Sequence, residues 1–116
     1  MPEIGQIVVE HLPDVSVVAL LGEHDVSNGP MLRTELDAAL AATAHVIVDL
    51  SEATFIDSSI VGALFHAATP PSRILALTAA PGSLPRRLID MVALAATVPV
   101  FDSRDAAVAY ATKKHT

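Results

Sequence analysis

The feature of the sequence that most constrains the fold is the run Val46-Ile47-Val48, which is apolar at every position and ends at Asp49. A strand with one face in water alternates apolar and polar residues, whereas a strand covered on both faces is apolar throughout. The run therefore predicts a central strand in a sheet that has helices above and below it. We expect an α/β fold on this ground.

The chain before this strand predicts a hairpin followed by a helix. Residues 7–9 and 15–20 are rich in β-branched side chains, and the Pro13-Asp14 pair between them favours a turn. They are expected to form two antiparallel strands that open the sheet. Residues 27–30 then supply a cap and a first-turn proline for a helix. Its inward stripe is expected to consist of Leu32, Leu36 and Leu40.

After the central strand, helices and strands continue to alternate. Residues 50–56 are expected to form a loop that leads to Asp57-Ser58-Ser59 and a second helix. This helix is apolar nearly all round, and Pro70-Pro71 is expected to end it. A strand is then predicted at residues 74–77, a third helix after Pro81-Gly82-Ser83, an edge strand at residues 98–101 and a last helix capped by Asp102-Ser103.

These elements predict a single domain over residues 1–116. The fold is expected to be a mixed β-sheet opened by an antiparallel hairpin, with four helices packed against it. The apolar residues of the third helix are Leu84, Leu88, Ile89 and Val92.

Composition excludes several classes of function. The net charge is −6, and the adjacent basic pairs Arg86-Arg87 and Lys113-Lys114 are too few to neutralise a run of phosphates, so we expect no direct nucleic-acid binding. The absence of cysteine removes disulfides and thiolate metal sites, and fits a reducing compartment such as the cytoplasm. Apolar runs such as residues 17–21 are far shorter than the ~20 residues of a membrane helix, so no membrane insertion is expected.

Two short motifs follow predicted strands. They are Gly22-Glu23-His24-Asp25 and Phe55-Ile56-Asp57-Ser58-Ser59. By these motifs and their spacing, the chain resembles the STAS domains of anti-sigma factor antagonists. The resemblance extends to Pro81 with its helix and to the segment 100–103 before the last helix.

The resemblance implies a bacterial regulatory cycle called partner switching. The unphosphorylated domain binds an anti-sigma factor that is also a serine kinase, which releases a sigma factor, and phosphorylation ends this binding. A phosphatase is a further candidate partner, and no cofactor is implied. In the family, the modified serine directly follows the Asp, so Ser58 is the expected site and Ser59 the alternative. The predicted partner-binding residues are Glu23, His24, Asp25, Asp57, Ser58, Ser59 and Ile60.

The chain departs from the family pattern at two places. Ile60 stands where the family has Gly, and a branched side chain there is expected to alter the fit to a kinase, because Gly lets a partner backbone approach closely. Residues 65–74 are also a few residues fewer than usual, which predicts a second helix shortened by about one turn.

Each candidate residue has a structural alternative. Ser58 or Asp57 is suited to cap the second helix, and Asp25 is suited to cap a turn. Asp49 is suited to form structural hydrogen bonds at the end of a strand. The five histidines are dispersed without metal-ligand spacing, and we expect them on the surface or in loops.

Two other functional classes are alternatives to the regulatory one. The first is a STAS adaptor subunit of a membrane transport or signalling complex, in which Ser58 is never phosphorylated. The second is an independent small-molecule or nucleotide-binding domain. It would need a pocket near Ser58, for which the sequence supplies no loop. No catalytic motif or phosphate loop indicates an enzyme.

Overall fold

The structure is a computed structural model that describes residues 5–68, 74–92 and 98–113. In these residues the strands are β1 (Gln6–Leu12), β2 (Val15–His24), β3 (His45–Asp49), β4 (Ala53–Ile56), β5 (Ile74–Thr78) and β6 (Val100–Phe101). The helices are α1 (Gly29–Ala42), α2 (Ser58–Ala68), α3 (Leu84–Met91) and α4 (Arg104–Lys113). The predicted α/β class, the mixed sheet and the four helices are confirmed.

The main sheet has the strand order β1-β2-β3-β5-β6, and β4 pairs with β2 outside this path. β1 runs antiparallel to β2, whereas the remaining strand pairs are parallel. The predicted hairpin is therefore correct, and its two-residue turn holds Asp14 at φ 63°. Proline followed by a residue at positive φ is the pattern of a type II turn.

The core lies on both faces of the sheet, as the apolar run in β3 predicted. Val46 and Val48 face a large cluster formed with α1, α2 and α3, while Ile47 faces the opposite side and packs with Ala107 and Ala111 of α4. All five residues of β3 are buried. Three helices thus cover one face and one helix covers the other.

The expected loop at residues 50–56 is wrong in its second half, because residues 53–56 form the strand β4. β4 runs parallel to the end of β2, where Glu23 pairs with Phe55 and His24 pairs with Ile56. The register shifts between Gly22 and Glu23, and Gly22 has φ 82°, a conformation that glycine adopts without steric cost. This irregularity lets β2 leave β3 and pair with β4.

The third helix buries fewer of its apolar residues than its sequence suggests. Ile89 is fully buried, whereas Leu84 is 51% exposed and Val92, which follows the helix, is 39% exposed. Arg86 holds α3 in place, because its guanidinium donates to the Ala79 carbonyl at 2.8 Å and to Asp102 at 3.0 Å. One side of α3 therefore remains open to solvent.

Two histidines contradict the expectation of surface or loop positions. His24 and His45 are both buried, at the end of β2 and the start of β3. The His24 ring donates from Nε2 to the Leu21 carbonyl at 3.0 Å, which turns the ring back onto its own strand. The predicted stop at Pro70-Pro71 lies outside the described residues.

Candidate functional site

The candidate site lies where β2 and β4 end side by side. Because His24 pairs with Ile56 in a parallel register, the next residues, Asp25 and Asp57, lie at the same edge of the sheet. Ser58 is the first residue of α2 and directly follows Asp57. The two sequence motifs are thus brought together by strand pairing.

Asp57 caps α2. Its Oδ1 accepts hydrogen bonds from the backbone N–H of Ser59 at 3.0 Å and of Ile60 at 3.2 Å, and from the Ser59 hydroxyl. These bonds satisfy donors that have no partner within the helix. Of the two capping assignments that the sequence left open, the structure shows the one through Asp57.

The two serines differ in their surroundings. Ser58 is exposed, and within the described residues its hydroxyl has no hydrogen-bond partner. Ser59 is half-buried, and its hydroxyl is engaged by Asp57. Ser58 is therefore the accessible hydroxyl of the pair.

Asp25 organises the loop between β2 and α1. Its Oδ1 accepts from the Ser27 backbone N–H at 2.9 Å and from the Ser27 hydroxyl at 2.6 Å. The bond from the Ser27 hydroxyl is the main reason why the pKa of the Asp25 carboxyl lies below its usual value. Asp25 and Glu23 are both exposed, so the site carries negative charge before any modification.

Two of the predicted partner-binding residues are not accessible. The side chains of His24 and Ile60 are fully buried, with a relative exposure of 0%. Ile60 packs into the large core cluster beneath α2, which is how an Ile takes the place of the family Gly. The expectation that Ile60 adds bulk at the surface is wrong, because its side chain points inward.

An apolar groove of about 250 Å³ adjoins the capped end of α2. It is lined by Phe55, Ile56, Leu84, Arg87, Leu88 and Met91. Phe55 is 41% exposed, Leu84 is 51% exposed and Met91 is 81% exposed, so three exposed apolar side chains share this groove. Phe55 is not among the predicted partner-binding residues, because the strand β4, which brings its ring next to α3, was not predicted.

A second, shallow groove lies between α1 and α2 on the Ser59 side. It has a volume of about 370 Å³ and is lined by Val26, Gly29, Pro30, Arg33, Ser59 and Gly62. This groove borders Ser59, and it is built by the N-terminal parts of α1 and α2 together with Val26 of the loop that precedes α1. Across the described segments no cluster of three His, Cys, Asp or Glu side chains is placed to hold a metal ion.

No helix within the described ranges is both long enough and apolar enough to cross a bilayer. No curated protein sequence matches the chain significantly.

Three solved structures are similar over most of the chain. An anti-sigma factor antagonist from Mycobacterium paratuberculosis has 25% identity and a TM-score of 0.87, with 97% of both chains covered. The Bacillus cell fate determinant SpoIIAA in its phosphorylated form has 19% identity and a TM-score of 0.69, over 90% of this chain and 98% of that one. A sulfate transporter family protein from Wolinella succinogenes has 21% identity and a TM-score of 0.73, over 89% of each chain.

The last two similarities, both below 25% identity, concern the fold alone. The model of the STAS domain matches residues 6–107. Because this match spans most of the chain and coincides with the observed sheet and helices, the protein belongs to the STAS domain family.

Proposed function

We propose that this protein is an anti-sigma factor antagonist that binds an anti-sigma factor with serine kinase activity and is released when Ser58 is phosphorylated. The observation that carries the proposal is the exposed Ser58 hydroxyl beside a helix cap that is already complete. The similarity to the mycobacterial antagonist supports the class of function. We expect the protein to act in the cytoplasm, as a regulator and not as an enzyme.

The surface that would contact the partner has an acidic part and an apolar part. We name it the switch surface and define it as Glu23, Asp25, Asp57, Ser58 and the apolar groove lined by Phe55, Leu84, Leu88 and Met91. The apolar residues of the groove would be buried against the partner and so contribute binding free energy. The acidic residues would orient the two proteins by attracting a basic patch on the partner. Ser58 follows Ile56 of the groove by two residues, so both parts can be covered together.

Phosphorylation would change this surface by charge. A phosphoserine adds about −1.5 to −2 charges at neutral pH, and here it would stand beside Asp57 and on the same edge as Asp25. A partner surface that fits the unmodified serine would have to remove water from the phosphate without offering groups that pair with its charge. This desolvation would weaken the binding of the partner. The hydroxyl can accept the group without breaking a bond, because Asp57 and not Ser58 holds the cap.

Ser59 is a weaker candidate than Ser58 for accepting a phosphoryl group, because its hydroxyl is already engaged. Its hydroxyl already donates to Asp57, and transfer of a phosphoryl group would place the phosphate against that carboxylate. Ser59 is also half-buried, whereas Ser58 is exposed. We therefore assign the modification to Ser58.

The test is incubation of the protein with ATP and each anti-sigma kinase encoded in the same genome, with intact mass and peptide mapping as the readout. The wild type and Ser59→Ala should each gain one phosphate, whereas Ser58→Ala should gain none. Ser59→Ala is the matched control, because it retains the Ser58 acceptor and alters its neighbour. Incorporation that persists in Ser58→Ala would refute the assignment.

The second candidate function is a STAS adaptor subunit of a membrane transport or signalling complex. The fold similarity to the Wolinella protein favours it, at the level of fold only. An adaptor would bind its partner stably without incorporating phosphate, and Ser58→Asp would leave that binding unchanged. The antagonist function instead requires Ser58→Asp to weaken binding by about tenfold or more, the size expected when a new charge is left unpaired at an interface.

A further inference from the structure

β1 forms one end of the main sheet, and it is a long edge. It has seven residues, whereas β6 at the opposite end has two residues and follows Pro99. An edge strand presents backbone N–H and C=O groups that no neighbouring strand satisfies. The outward edge of β1, here called the β1 edge, is therefore the longer edge of this path that no strand among the described residues pairs with.

The register of the hairpin identifies which groups are free. Leu12 pairs with Val15 across a two-residue turn, and the pair next to such a turn exchanges hydrogen bonds. Because bonding alternates along an antiparallel pair, Glu10, Val8 and Gln6 bond to β2 as well. The backbone groups of Ile7, Val9 and His11 consequently point away from the sheet.

The β1 edge lacks the features that usually protect such strands. Its sequence contains neither proline nor lysine, and its register with β2 is continuous from Gln6 to Leu12 without a bulge. Val8 is 50% exposed on the face that α4 covers further along the sheet. The one acidic side chain, Glu10, is bound to Arg104 at 3.0 Å, which offsets its charge.

We infer that the β1 edge pairs with the β1 edge of a second copy of this chain, antiparallel and with the two-fold axis at Val8. In this register Ile7 faces Val9 of the second copy as a hydrogen-bonded pair, and the two Val8 side chains meet in a close, non-hydrogen-bonded pair. Gln6 faces Glu10 of the second copy, so no like charges are opposed. The register buries the exposed valine and satisfies the outward backbone groups.

This inference does not rest on the proposed function. The β1 edge contains no residue of the switch surface, so the two can fail separately. Because the pairing buries little surface beyond one strand, we expect a weak, reversible dimer of the kind formed by small interfaces.

Sedimentation equilibrium of the full chain, at protein concentrations from about 10 μM to about 1 mM, tests the pairing. A small interface is expected to associate weakly, at concentrations in this range. The expected result is a monomer–dimer equilibrium, with hydrogen exchange at the amides of Ile7, Val9 and His11 slowing as the concentration rises. A monomer over the whole range, or a dimer that leaves these amides unprotected, overturns the inference.

Two lysine substitutions test the register. Val8→Lys should weaken the dimer by about tenfold or more, because it places like charges opposite each other, whereas Gln6→Lys should tighten it about fivefold, because each new lysine faces a glutamate. Val26→Lys is the control, since Val26 is 72% exposed in the loop before α1, and it should leave the equilibrium unchanged. If Val8→Lys and Gln6→Lys shift the equilibrium in the same direction, the Val8-centred pairing is wrong.

Discussion

At the scale of single residues, the first turn of α2 gives structural tasks to Asp57 and Ile60 and none to Ser58. Asp57 satisfies the N–H groups of Ser59 and Ile60, and Ile60 fills the core beneath the helix. Ser58, between them in sequence, has no structural task among the described contacts. A side chain with no bond to lose can be modified at little cost to the fold, which is why the free hydroxyl matters more than the Asp-Ser-Ser sequence itself.

Asp49 is the acidic residue with the clearest structural role. It accepts from the Ser51 backbone N–H at 2.9 Å and from Arg104 Nε at 2.8 Å, and Arg104 also binds Glu10. Burial alone would raise the pKa of the Asp49 carboxyl, but the bonds from Ser51 and Arg104 outweigh burial, and the net effect lowers the pKa. The predicted role of Asp49 as a hydrogen-bonding residue at a strand end is confirmed.

This depressed pKa predicts a specific acid dependence of stability. A carboxyl with a lower pKa in the folded state stabilises the fold above its unfolded pKa of about 3.9, and the contribution is lost as the pH falls through the folded value. Urea unfolding at a series of pH values should therefore show a steeper loss of stability below about pH 5 in the wild type than in Asp49→Asn. Equal slopes for the two proteins would contradict the assignment, whatever their difference at neutral pH.

At the scale of elements, sequence patterns predicted most of the fold. The apolar run in β3 indicated burial on both faces, and the Pro-Asp turn indicated the hairpin. β4 was missed because its four residues include exposed Thr54 and Phe55, and because its pairing depends on the irregularity at Gly22, a long-range effect that local propensity does not contain. His24 was misplaced for the same reason, since the bend that buries its ring is set by strand pairing.

The open side of α3 gives the prediction at this scale. Met91 lines the groove between β4 and α3, and its side chain is 81% exposed. Met91→Glu should therefore leave the fold intact. It should weaken binding of the proposed anti-sigma partner by about tenfold or more, because it puts a charge into an apolar contact. Met31→Glu is the matched control, since Met31 is 60% exposed on α1 and lies outside the groove. Calorimetric titration with the partner would measure both. Equal losses for the two variants would place the partner elsewhere.

At the scale of the whole molecule, three helices cover one sheet face and one helix covers the other, so the centre of the sheet is packed between helices. β2 and β3, the central strands, are buried on both faces over most of their length. The switch is therefore expected to act by changing the surface presented to a partner, not by changing the fold.

A phosphate or its mimic at Ser58 should accordingly be neutral for the fold. The N-terminal turn of a helix favours negative charge and the neighbouring Asp57 opposes it, so the unfolding free energy of Ser58→Asp should lie within about 1 kcal/mol of the wild type. Ser59→Asp should lose about 1 to 3 kcal/mol, because it removes the hydroxyl bonded to Asp57 and sets a second carboxylate beside it. Chemical denaturation of the two variants measures the difference. If Ser58→Asp proves as destabilising as Ser59→Asp, the modification would have to reshape α2, and a switch that acts only through surface charge would no longer explain the release of the partner.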